Sequence, residues 1–168
     1  SLPTKPSSQV RARLTPIVAR PSANVQPMAG VSHAHLHCHG CESVSVAAAI
    51  TAAHNAQTGA PRFFAQVLFS AANEGEHFVG GRVNTAPQVY VHGLVREGRS
   101  IEIKQALMSQ MLEEIAQIGE ISAEDVWIYL QDIPANQMIE FGRFLPAPGD
   151  EAEWEKGMTP EKRDSLPK

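Results

Sequence analysis

The chain has 168 residues, a length that fits one domain, and its 43% hydrophobic and 19% charged content can support a packed core rather than wholesale disorder. No apolar run approaches the roughly 20 residues that a membrane helix needs, and a formal net charge of -4 supplies no basic face for nucleic-acid phosphates. Neither a membrane nor a nucleic acid is therefore expected as a partner. The two cysteines, Cys38 and Cys41, stand too close together to staple distant segments, which suits a reducing, cytoplasmic setting.

Charge divides the chain. Residues 1–41 contain no Asp or Glu, and Lys5, Arg11, Arg13 and Arg20 give them a formal +4; the remainder carries a formal -8. Pro3, Pro6, Pro16, Pro21 and Pro27 forbid a long helix here. Residues 1–41 are expected to form a basic arm or a divergent first strand, residues 42–150 the main domain and 151–168 a tail. A mitochondrial leader is the alternative reading of the basic, acid-poor start. The run His33-Ala34-His35-Leu36-His37-Cys38-His39-Gly40-Cys41 is rich in metal ligands. Alternate strand positions lie about 6–7 Å apart, which is awkward for a single tetrahedral ion, and no metal or other cofactor is expected.

The spacing of Val46, Ile50 and Ala53 predicts a first helix over Val44–Ala56, stopped by Gly59 and Pro61. Phe63–Phe69 reads as a buried strand. A glycine-containing loop follows over Asn73–Pro87, with a short strand at His77–Val79, and Gln88–Leu94 is the next strand. Ser100 then caps a helix reaching Ile118, whose Ile103, Leu107, Met111, Ile115 and Ile118 share a face, and Gly119 ends it. Val126–Leu130 is a further strand. Strand, long crossover and strand imply parallel pairing. With one more strand before Val44, the fold is α/β (α+β): two β-α-β units in one mixed sheet, both helices on one face. The tail from Pro146 is expected to be irregular or briefly helical.

Polar residues gather at the ends of these elements. His54 is a pocket residue or a helix cap. Arg96 and Arg99, in the turn that enters the Ser100 helix, can aim two guanidinium forks at one carboxylate or phosphate, or sit in a solvated turn. Tyr129 is a strand tyrosine that packs or serves a site. Glu140, among apolar neighbours, is a general base if buried and a surface carboxylate if not.

Together these positions resemble a known family. His54, Phe64-Ala65-Gln66-Val67, the string from Val91 to Ser100, Trp127-Ile128-Tyr129 and the string from Met138 to Pro146 are similar to cis-3-chloroacrylic acid dehalogenase and its relatives in the tautomerase superfamily. The resemblance spans about Val44 to Glu153. It implies the β-α-β repeat of the tautomerase fold, a homotrimer, and cofactor-independent chemistry on small unsaturated or keto acids: hydration, hydrolytic dehalogenation of a 3-haloacrylate, or tautomerisation. It further implies that Arg96 and Arg99 bind the substrate carboxylate, that His54 holds substrate, and that Tyr129 and Glu140 position and activate water.

The family's amino-terminal proline has no direct match. Counting back from His54 without gaps reaches Pro27, whose nitrogen within the chain is an amide with no proton to give. Pro3 fits an alternative register through Arg13-Leu14-Thr15-Pro16. The Ser1 amine, or Pro27 once exposed by processing, could replace the missing group. Activity is therefore expected to be low or altered. The alternative is a non-catalytic, trimeric anion-binding or regulatory descendant.

Overall fold

A computed structural model describes residues 43–70, 72 and 75–167, together with the backbone of His35–Leu36. Strand β1 (His35–Leu36) pairs in parallel with β2 (Leu68–Phe69), and helix α1 (Ser43–Thr58) connects them. A hairpin of β3 (Phe78–Val79) and β4 (Arg82–Val83) follows. Strand β5 (Val89–Arg96) then runs through α2 (Ile101–Gly119) to β6 (Val126–Ile133), parallel to β5 over eight residue pairs. Both units are thus the expected β-α-β crossovers, and β1 lies alongside β5. The antiparallel hairpin of β7 (Ile139–Glu140) and β8 (Arg143–Phe144), then α3 (Glu151–Lys156) and α4 (Pro160–Asp164), complete the described chain.

The main core lies between the helices and the β5–β6 pair. Val46, Ile50 and Ala53 of α1 and Leu107, Met111 and Ile115 of α2 pack with Val89, Val91 and Val126. Alternation decides the faces of β5: Val89, Val91 and Val95 are all buried. On β6, Ile128 and Leu130 pack toward the helices, while Trp127 and Tyr129 are 40% and 53% exposed. The Ser100 side chain caps α2 by accepting from the Ile103 N–H, as expected. The helix runs through Gly119, and Glu120 takes the left-handed capping conformation with φ 49°.

One strand expectation is corrected. Phe63–Phe69 is not a continuous buried strand: Arg62–Phe64 forms a 3₁₀ turn, and only Leu68–Phe69 pairs. Pro61 starts that turn by accepting from the Phe64 N–H at 3.1 Å. The turn swings Phe64 into a second hydrophobic cluster with Met138, Leu145, Trp154, Met158 and Leu166. Three of those partners belong to the C-terminal segment, which folds as α3 and α4 and packs on the carboxyl end of β5–β6. Thr159 caps α4 with Pro160 in its first turn.

Candidate active site

The carboxyl ends of β5 and β6, the start of α2, the far end of α1 and the β7–β8 hairpin meet at the second cluster. A small cavity of about 20 Å³ opens there, space for a single water, lined by residues that include His54, Phe64, Arg96, Arg99, Met138 and Glu140. Four of the residues singled out in the sequence therefore face one cavity.

Each is delivered by a local feature. Arg96 ends β5 and Arg99 lies three residues on, so the chain must turn sharply between them. Gly98 takes φ 109°, in the region that favours glycine, and the Glu97 N–H donates to Ile133 O at 2.9 Å, tying the turn to β6. Glu140 precedes a hairpin turn whose central residues, Phe141 and Gly142, have φ of 51° and 76°. That turn sends the Glu140 carboxyl inward, leaving the residue 3% exposed. Phe141 packs against Phe63 and Trp154, which holds it in its left-handed conformation.

The two arginines differ in their partners. Arg96 donates through Nη1 to Pro146 O at 2.7 Å and through Nη2 to Glu151 Oε1 at 2.5 Å, and its guanidinium lies over the Phe64 ring. The second Glu151 oxygen accepts the Gly149 N–H at 2.8 Å. Burial pushes the Glu151 carboxyl up, but hydrogen bonds from backbone N–H groups and from Arg96 outweigh it and leave it below the usual range. Arg99 donates through Nη1 to Arg96 O at 3.1 Å, while its Nε is buried without a hydrogen-bond partner among the described residues. Burial, then the neighbouring Arg96 charge, depresses the Arg99 guanidinium below its ordinary value.

His54 is 8% exposed, and its Nδ1 also lacks a partner among the described residues. Burial, with Arg99 and Arg96 adding to it, lowers its pKa from 6.5 to about 4. At neutral pH the ring is uncharged and offers a hydrogen bond rather than a cation. Two orphaned polar atoms at one cavity, beside two guanidinium groups, suit a small oxygen-rich anion.

Tyr129 does not line this cavity. It stands on the open face of β6 with its ring centroid 5.3 Å from that of Tyr90. Ser1, Pro3 and Pro27 lie outside the described residues, as does the His33–Cys41 run apart from the backbone of His35–Leu36. Among the described residues, no three His, Cys, Asp or Glu side chains come together as metal ligands would, and no helix is long and apolar enough to cross a membrane. Glu151 was missed in the sequence. Its partner stands 55 residues away, and nothing local marks it.

Known proteins share this fold. A protein named N1, a member of the cis-3-chloroacrylic acid dehalogenase family, is 29% identical with a TM-score of 0.75, over 80% of this chain and 97% of that one. A fused 4-OT solved as a symmetric trimer is 21% identical with a TM-score of 0.62, over 70% of this chain and 96% of that one. FG41 malonate semialdehyde decarboxylase inhibited by 3-bromopropiolate is 18% identical with a TM-score of 0.58, over 77% of this chain and 99% of that one. No curated protein matches the chain. The fold is the tautomerase fold. A family model described as "Putative oxalocrotonate tautomerase enzyme" matches residues 27–159, most of the chain, and the protein belongs to that family within the tautomerase superfamily.

Proposed function

We propose that the chain is a cis-3-chloroacrylic acid dehalogenase-like protein whose pocket takes a small carboxylate. The observation that carries this reading is the meeting of His54, Arg96, Arg99 and Glu140 at one cavity, where Arg99 Nε and His54 Nδ1 have no hydrogen-bond partner among the described residues. The cationic end draws the acid and pulls electron density toward its carboxylate. Water then adds at the β-carbon, giving its proton to Glu140, while a second proton goes to the α-carbon. With a halogen on the β-carbon, the adduct collapses to an aldehyde and releases hydrogen halide. The donor of the second proton is the weak element. The family match begins at Pro27, and with Gln26 before it that nitrogen is an amide.

The test compares the full chain with one that begins at Pro27, both on cis-3-chloroacrylate. Positioned proton transfer is worth about 10²–10⁴-fold, so the full chain should be slower by that order and the shortened one should recover. Arg99→Gln should abolish saturation by the acid in both. Equal rates in the two forms would place the proton donor elsewhere. Binding without turnover in either form would favour the second reading, an anion-binding descendant.

A homotrimer is part of the proposal. The open face of β6 leaves Trp127 and Tyr129 exposed, and a second copy would cover them. In such an assembly Tyr129 would serve a neighbouring copy's pocket and not the cavity of its own chain.

A further inference from the structure

Counting charge at the cavity shows an imbalance between the two arginines. The buried Arg96–Glu151 pair is neutral as a unit, and both Glu151 oxygens are held, one by Arg96 Nη2 and the other by the Gly149 N–H. Arg99 forms no ion pair with a carboxylate among the described residues. His54 brings no positive charge near neutral pH, and Glu140 adds a carboxyl to the lining. Of the two arginines, only Arg99 stands at the cavity without a carboxylate ion-pair partner among the described residues.

We infer that Glu151 is a positioning residue that dedicates Arg96 to the fold, leaving Arg99 as the principal anchor and selecting monocarboxylates over dicarboxylates. This rests on the carboxylate-pocket reading above. The physical reason is that each ionised carboxylate entering a confined site needs its own charge-assisted partner. One carboxylate meets Arg99. A second finds Arg96 already neutralised by Glu151 and lies beside the Glu140 carboxyl as well. The C-terminal segment thereby supplies, from within the chain, the anion that a diacid would otherwise bring.

The experiment is calorimetric binding of maleate and of its monomethyl ester, two ligands with one carbon skeleton and different charge, to the full chain at slightly alkaline pH and constant ionic strength. Wild type should prefer the monoester. Glu151→Gln should shift the maleate-to-monoester affinity ratio toward maleate by about tenfold or more, since Arg96 regains a free charge. Glu151→Asp, which keeps the charge, should hold the wild-type ratio. Arg96→Gln alone should weaken both ligands by leaving Glu151 uncompensated. The double variant Arg96→Gln, Glu151→Gln removes the neutral pair as a unit and should bind the monoester more tightly than Arg96→Gln does.

An unchanged ratio in Glu151→Gln overturns the inference, as does a double variant that binds as poorly as Arg96→Gln. If Glu151→Gln does not fold, the double variant decides alone. Should wild type bind neither acid, with Arg99→Gln indistinguishable from it, the carboxylate-pocket reading fails and takes this inference with it.

Discussion

The buried His54 makes stability fall with acid in a window fixed by its two pKa values. In the unfolded chain the imidazole protonates near 6.5, and in the fold burial and the two arginines hold it to about 4. Between those values the unfolded state binds a proton that the native state refuses, so stability drops as pH falls through the window and levels off below it. Linkage over this shift gives a loss of about 2 kcal/mol on going from about pH 7 to about pH 5, and about 3 kcal/mol once both states are protonated. His54→Gln removes the term while keeping a polar side chain at the α1 end of the cavity. Urea unfolding of both proteins at the two pH values isolates it, because the carboxylates common to both cancel in the double difference. Wild type should lose about 2 kcal/mol more than the variant across that interval. Equal losses in the two proteins would refute the burial-and-arginine account of His54.

Three further outcomes follow from particular contacts. Gly98→Ala forces a side chain into φ 109° and sets its Cβ 3.2 Å from Pro148 Cγ, so it should cost about 1–3 kcal/mol in denaturant unfolding and displace Arg99 enough to weaken acid binding. Trp154→Ala removes a side chain from the second cluster, along with its indole hydrogen bond to Phe144 O at 2.7 Å and its place under the Arg143 guanidinium, and should cost about 3–5 kcal/mol by the same measurement. Light scattering at micromolar concentration should return the mass of three chains, and Trp127→Lys on the open face of β6 should lower it; a wild-type monomer would overturn the assembly.

The helices and the β5–β6 pair were legible because their signals are periodic and local. The stripe of Leu107, Met111 and Ile115 fixes the buried face of α2, with Ile103, expected on that face, left exposed, and Ser100 marks the helix start through one hydroxyl. The failure at Phe63–Phe69 has a physical source: an apolar run reads alike whether it lines a sheet or drops one aromatic into a separate cluster. Phe64 does the latter because Trp154, 90 positions away, waits with its ring centroid 5.3 Å off. The cavity residues His54, Arg96, Arg99 and Glu140 were found by their places at element ends, helped by the resemblance. The state of Arg96 was not, since its salt bridge depends on how the tail folds back. The Ser1, Pro27 and His33–Cys41 expectations fall outside the described residues and rest on the sequence alone.

The cavity sits on the seam between two hydrophobic clusters, and this has a consequence for how the protein comes apart. His54 is anchored in the helix–sheet core, whereas Glu140 and the Glu151 clasp on Arg96 depend on the cluster built around Trp154. The second cluster draws on short elements and brief helices, so it is the unit that opens first in a sub-global fluctuation. Opening it would free Arg96 and dismantle the pocket while α1, α2 and the β5–β6 ladder stay folded. A bound acid, held only when both clusters are closed, would act as a rivet across that seam. Amide protons of α3 and α4 should then exchange more slowly with ligand present, and those of the α2 centre should change little.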